Sequence, residues 1–362
     1  MAGGTGGHVY PAIAVANCLR ARGAEVVWLG TRRGLEADVV PRAAIPLYTI
    51  AISGLRGKGM LSWVLAPFKI LVAVVQSIAV MLRFRPMAVL GMGGFVAGPG
   101  GLTAWLLHRP LLVHEQNAVA GLTNRMLARL ACTTLTAFPG VLSSFARVVV
   151  TGNPVRSAIS TLPPPEQRYR ERTGPIRLLI LGGSLGARAL NEAVPEALRR
   201  VPAVRRPDVW HQAGSRLIED ARQFYREAGV EARVEPYIEQ MEQAYGWADL
   251  VICRAGALTV SELAAAGVAS VLVPYPYAVD DHQTSNASQL VACGAAILVR
   301  QGDHLVEQLV VLLTDFCAQG DEDKDPPGRE RLLQMAVAAR GEARPDAAER
   351  VAEICLAEAA HA

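Results

Sequence analysis

Short apolar runs alternate with longer segments whose apolar residues recur every three or four positions, a pattern that predicts βαβ units and a parallel sheet. In the first part of the chain the runs Glu25–Leu29, Met87–Leu90, Pro110–Val113, Thr133–Thr136 and Arg147–Val150 predict strands, each ending near Gly, Thr, His or Asn. A proline-rich stretch, Leu162–Pro165, interrupts the pattern, and the alternation then restarts. Arg177–Leu181, Asp208–Gln212, Arg233–Glu235, Leu250–Cys253 and Ser270–Pro274 predict a second sheet. Two such halves in 362 residues predict an α/β protein of two Rossmann-like domains that meet near Asn153–Pro154. Ligands of such sheets lie at the carboxyl ends of the strands, so the cleft between the domains is the expected site. A charged linker, Asp321–Gly328, precedes two final helices, the last of which is expected to cross back to the first domain.

The segment Met60–Leu82 stands apart, being almost wholly apolar and close to the length of a membrane span. Pro67, Lys69 and Gln76 interrupt it, and Lys58, Arg83 and Arg85 flank it. A charge at the middle of a span costs roughly 2.5–3.5 kcal/mol, which disfavours crossing. The pattern fits a helix buried on one side whose other side lies on an anionic membrane surface.

Composition bears more on partners than on fold. Half of the chain is apolar (51%) and only 6% is aromatic, as in an α/β protein rich in small aliphatics. The six cysteines form no CxxC pair and have no histidine cluster beside them, which argues against a disulfide framework or a zinc site and for a reducing compartment. No basic-then-apolar leader opens the sequence, so secretion is not expected. The net charge of +3 hides an asymmetry: up to Asn153 there are 14 Lys and Arg against 4 Asp and Glu, and in the remainder 22 against 29. A basic half attracts anionic partners, whether lipid headgroups or a phosphorylated substrate. Interleaved aromatics and RNA-binding motifs are missing, so no nucleic acid is expected.

Three glycine clusters carry the candidate chemistry: Gly3-Gly4-Thr5-Gly6-Gly7-His8, Gly91-Met92-Gly93-Gly94 and Gly182-Gly183-Ser184-Leu185-Gly186. Glycine lets backbone approach a phosphate, and a following helix offers N–H groups and a positive dipole end. The spacing is not that of a dinucleotide fold, the strand Glu25–Leu29 is followed by Gly30-Thr31-Arg32 with no acid for a ribose, and no GxxxxGK[ST] occurs. Asp321, Asp323 and Asp325 have the spacing of a metal-holding acidic motif but sit in the polar linker, so neither a metal nor a cofactor is expected. Further on, Arg254-Ala255-Gly256-Ala257-Leu258-Thr259-Val260-Ser261-Glu262 follows a strand and opens a helix, where hydroxyls and N–H groups suit a phosphate and Glu262 suits a ribose diol. The same run also suits a plain helix cap. Asp280-Asp281-His282-Gln283 lies past the next strand, within reach of a sugar's hydroxyls.

The blocks Gly3–Pro11, His114-Glu115-Gln116-Asn117, Gly152-Asn153-Pro154-Val155-Arg156, Gly182-Gly183-Ser184 with Gly186-Ala187-Arg188, Ala257–Glu262, and His282-Gln283 with Asn286-Ala287 resemble the MurG family, in order and over nearly the whole chain. The resemblance implies the GT-B fold, two Rossmann-like domains with parallel sheets facing across a cleft. It implies transfer of N-acetylglucosamine from UDP-N-acetylglucosamine to the undecaprenyl-linked muramyl-pentapeptide (lipid I to lipid II), at the cytoplasmic face of the cell membrane. It also implies a peripheral seat on the anionic inner leaflet and contacts with cell-wall and division proteins. Residues 1–153 with a C-terminal helix near 345–362 would bind the acceptor, and residues 154–344 the donor. By the same resemblance Ile238 would meet the uracil through its backbone and Glu262 the ribose. Ser184 and Ala257-Leu258-Thr259, with Val260 and Ser261 in the same run, would hold the diphosphate. Gln283 and Asn117 would hold the sugar hydroxyls, Arg156 would close over the nucleotide, and Thr5-Gly6-Gly7 with Gly93-Gly94 would face the acceptor's pyrophosphate. Phe95 stands where the family often has tyrosine.

An α-linked donor and a β-1,4 product imply inversion by a single displacement, with a base for the muramyl 4-hydroxyl. His8 and Glu115 are the candidate bases, His8 because imidazole titrates near neutral pH and sits on a glycine loop. Two other readings stay open: another GT-B transferase acting on a glycolipid or antibiotic, and a membrane scaffold that has lost turnover. Finally, the first glycine loop should follow a buried strand, yet only Met1-Ala2 precede it, so about four to six apolar residues are expected upstream.

Overall fold

A parallel strand covered on both faces needs an unbroken apolar run, and the runs of this chain meet that demand in two units. The structure, a computed structural model, describes residues 1–54, 65–183, 186–318 and 327–361. One unit is Met1–Arg156 with Arg344–Ala362, the other Ser157–Ala343.

In the first unit β1 (Trp28–Gly30) and β2 (Leu47–Thr49) form a parallel pair. A second sheet holds β3 (Val89–Gly91), β4 (Leu111–Glu115), β5 (Thr133–Thr136) and β6 (Val148–Val150), parallel and in chain order. Every residue of β4 and β5 is buried. Ahead of the first glycine loop, Met1 pairs with the end of β3: its amino group donates to Leu90 O at 2.8 Å, and Met92 N donates to Met1 O at 2.9 Å. Trp28 Nε1 donates to Ala2 O at 2.9 Å. The last helix, Ala347–Ala360, packs on the helix Gly6–Ala21, with Val351, Ala352 and Cys355 in one apolar cluster with Val15, Leu112 and Leu135.

In the second unit β7 (Arg177–Leu181), β8 (Asp208–Gln212), β9 (Arg233–Glu235), β10 (Leu250–Cys253), β11 (Ala269–Leu272) and β12 (Ala296–Leu298) make one parallel sheet in the order β12-β11-β10-β7-β8-β9. The order reverses between β7 and β10, and at such a switch point the crossover helices diverge to leave a crevice at the carboxyl ends. Buried Asp249 anchors the strand beside it: it pairs with Arg172, lies 3.8 Å from Arg329 and accepts the Arg177 N–H at 2.9 Å.

Two expectations need correction. The predicted strands Glu25–Leu29 and Met87–Leu90 begin later, at Trp28 and Val89, where the ladders start opposite Pro46 and Pro110; ahead of Val89 the chain leaves the preceding helix through Arg85 in a left-handed turn (φ 48°). The strands β2 and β12, three residues each at sheet edges, lie outside the predicted set.

The apolar segment is the helix Ala66–Phe84; residues 60–64 of the predicted Met60–Leu82 lie outside the described residues. Pro67 does not interrupt this helix but opens it, in the first turn where a missing N–H costs nothing. Ala66, Ala73, Val74, Ser77 and Met81 are buried, whereas Phe68, Leu71, Val75 and Leu82, a stripe at helical spacing, are 67%, 59%, 58% and 57% exposed. By length and composition the helix could cross a membrane.

Candidate active site

In the first unit the two glycine clusters are pressed together. A side chain on Gly94 (φ +79°) would come within 2.1 Å of Gly3 O, and one on Gly93 (φ +97°) within 2.8 Å of His8 Nδ1, so only glycine allows this approach. Thr5 precedes the helix Gly6–Ala21 in extended conformation, which puts Gly6, Gly7 and His8 in its first turn, with no acidic side chain there. His8 does not cap the helix; its Nδ1 lies 2.9 Å from Gln116 Oε1. Thr5, Gly6, Gly7, His8, Gly93 and Gly94 therefore form one constellation. Arg156 belongs to this unit and lies over the Tyr10 ring, 5.4 Å from its centroid.

A buried strand projects alternate residues to opposite faces, and the end of β4 follows that rule. Glu115 and Asn117 meet on one side: Glu115 Oε1 accepts from Asn117 N at 2.9 Å and Asn117 Nδ2 at 3.1 Å. Its Oε2 accepts from Gly121 N at 3.1 Å and Asn124 Nδ2 at 2.9 Å. A hydrogen bond to a charged group is worth roughly 1.5–3 kcal/mol, so four of them tie this buried carboxylate to loop architecture. His114 and Gln116 meet on the other side, with Gln116 Nε2 3.1 Å from His114 Nδ1 and His114 Nε2 3.0 Å from Gly152 O. Burial, partly offset by that carbonyl, pushes the His114 imidazole down to about 4.

Glu36 is a site residue that the sequence reading missed. The reading found no acid beside Gly30-Thr31-Arg32, yet buried Glu36 reaches back to that turn. It accepts from Thr31 N at 3.0 Å, Thr31 Oγ1 at 2.6 Å and Gly4 N at 3.0 Å, and so ties the first glycine loop to the end of β1. The signal was faint, since Glu36 and Asp38 together read as the ordinary acids of a helix's first turn. Gly4 N–H, one of the amides a phosphate loop would offer, is thereby occupied from inside.

The described candidate residues of the second unit lie past the carboxyl ends of its strands. Ser184 lies outside the described residues, as do Asp321, Asp323 and Asp325. Ala257, Leu258, Thr259, Val260, Ser261 and Glu262 open the helix Ala257–Ala266 directly after β10, with Gly256 extended before it. Ser261 Oγ donates to Ala257 O at 3.0 Å, and buried Glu262 accepts from Tyr245 Oη at 3.2 Å. Arg254 fixes this turn by donating to Val273 O, Pro274 O and Gln301 Oε1 at 3.0, 3.2 and 2.6 Å. Ile238 N donates to Gln212 Oε1 at 3.0 Å, and Gln283 Oε1 accepts from Tyr275 N at 2.9 Å. Tyr245 and Gln212, both unpredicted, hold the two groups expected to meet the nucleoside.

The UDP-N-acetylglucosamine--N-acetylmuramyl-(pentapeptide) pyrophosphoryl-undecaprenol N-acetylglucosamine transferase of Alkalilimnicola ehrlichii is 56% identical over 359 residues, covering 99% of this chain and 98% of its own. The chain belongs to the MurG family. The protein of the same name from Marinobacter nauticus is 53% identical and covers 98% of this chain and 96% of its own. The glycosyltransferase family 28 N-terminal domain matches residues 1–136, and the C-terminal domain of that family residues 177–351. A crystal structure of Acinetobacter baumannii MurG superposes with a TM-score of 0.81 at 43% identity, covering 99% of this chain and 98% of that one. The protein is thus a glycosyltransferase of the GT-B fold.

Proposed function

We propose that His8 is the general base, and the edge of the second sheet the donor site, of the reaction this chain catalyses. That reaction moves N-acetylglucosamine from UDP-N-acetylglucosamine to the lipid-linked N-acetylmuramyl-pentapeptide, lipid I, and makes lipid II for peptidoglycan. The observation that carries the activity is 56% identity over 99% of the chain. The test is transfer of radiolabelled sugar from UDP-N-acetylglucosamine to lipid I beside UDP-glucose. Transfer from the first and little from the second is expected, and equal transfer from both would refute the donor assignment.

Within this reaction the sugar inverts at its anomeric carbon as the muramyl 4-hydroxyl attacks. His8 takes the hydroxyl proton, a role that Glu115, with both oxygens held by N–H donors, is poorly placed to share. The start of the helix Ala257–Ala266 supports the departing diphosphate through N–H groups and dipole. Ser184 belongs to the same proposal. Glu262 takes the ribose and Ile238 the uracil, while Gln283 and Asn117 serve the sugar and Arg156 the nucleotide. The loops of Thr5-Gly6-Gly7 and Gly93-Gly94 serve the acceptor's pyrophosphate. Residues 1–153 with the last helix form the acceptor domain in this reading, and residues 154–344 the donor domain.

The exposed stripe Phe68, Leu71, Val75 and Leu82, with Arg83 and Arg85 at the helix end, supports a peripheral seat on the anionic inner leaflet. Cell-wall and division proteins are further partners in this reading. Vesicle sedimentation is expected to show capture by anionic lipid that weakens as salt screens the charges. Release only by detergent, never by salt or alkali, would mean a spanning helix instead.

A further inference from the structure

We infer that Gln116 is a positioning residue that fixes the tautomer of His8, keeping the proton on Nδ1 and leaving Nε2 as the acceptor. This inference rests on the reading of His8 as the base.

The chain of hydrogen bonds leaves one consistent arrangement. Gly152 O can only accept, and His114 Nε2 lies 3.0 Å from it, so His114 carries its proton on Nε2. His114 stays neutral at physiological pH, since burial holds it near 4, and its Nδ1 is therefore a lone pair. The Gln116 amide nitrogen lies 3.1 Å from that lone pair and 3.2 Å from the backbone carbonyl of His114. Both are acceptors, so the NH₂ end of the amide must face them and Oε1 must face away. Oε1 points at His8 Nδ1, 2.9 Å distant, and an amide oxygen cannot donate. His8 Nδ1 is thus the donor, and the second ring nitrogen is left to take a proton. Gly93, with no side chain, lets the ring stand where Gln116 can reach it.

Two nitrogens of one ring are not equivalent, and which one carries the proton is set by what the other meets. An amide held from behind by a neutral, buried histidine does this without placing a second charge beside the base. The family 28 site would then resemble in logic the buried acceptors that orient catalytic histidines in hydrolases, although no carboxylate is used.

The test reads the tautomer directly. Nitrogen-15 imidazole spectra of the full chain, with the His8 signals assigned by their loss in a His8→Ala variant, are expected to show the proton on Nδ1. This measurement needs no substitution at Gln116. In Gln116→Met, similar in length but without the amide, the proton is expected to shift toward Nε2. Turnover should then drop on the order of tenfold or more, with the KM for UDP-N-acetylglucosamine unchanged. A proton on Nε2 in the unaltered chain, or an unchanged tautomer in Gln116→Met, overturns the inference. Unchanged turnover in His8→Ala is a different result: it removes His8 as the base while the spectra still decide what Gln116 does.

Discussion

Replacing His8 by alanine is expected to lower turnover on the order of 10²–10⁴-fold while UDP-N-acetylglucosamine binds almost as before. A base acts in the transition state, so its loss appears in kcat and not in donor affinity. The fold should bear the change. His8 lies in the first turn of a helix, where alanine is a good helix former, and the bond to Gln116 Oε1 is a single part-buried contact. Its net worth is about 1 kcal/mol. Calorimetric donor affinity beside steady-state transfer separates the two quantities. Weakened donor binding with unchanged turnover per bound donor would place His8 in the binding site and not in the chemistry.

The second large effect belongs to the donor. Glu262→Ala is expected to weaken UDP-N-acetylglucosamine roughly 10- to 150-fold, the equivalent of one charged hydrogen bond of about 1.5–3 kcal/mol. Glu262 is only 5% exposed and accepts from Tyr245 Oη, itself buried, so alanine also removes an acceptor inside the unit. The melting temperature must therefore be read alongside the affinity. Glu262→Gln keeps an oxygen for Tyr245 and should melt close to the unaltered chain while still losing donor affinity. Unchanged affinity by calorimetry in a folded Glu262→Ala protein would take this residue out of the ribose site.

Arg177–Leu181, Asp208–Gln212, Arg233–Glu235, Leu250–Cys253 and Thr133–Thr136 appear in the structure with their predicted bounds. All but Arg233–Glu235 lie inside a sheet, and the two central strands β7 and β10 carry the nearly continuous apolar runs that burial on both faces demands. The strands β2 and β12, mostly half-buried, were missed. The blocks that carry the family resemblance were equally legible, because glycine at close approaches and polar residues at strand ends are demanded locally.

Sequence alone therefore determined the two parallel-sheet units, the glycine loops and the family, since each depends on residue type and spacing over a few positions. Tertiary structure decided what neighbours do to one another. Glu36 reaches Gly4 across 32 positions, Gln116 reaches His8 across 108, and Glu115 spends both oxygens on its own loop. Which of two acids and two histidines is held, and which nitrogen is left open, depends on hydrogen bonds that close only when distant strand ends and loops are packed together. Such bonds need a distance and an angle, and neither is written in the spacing of residues along a chain.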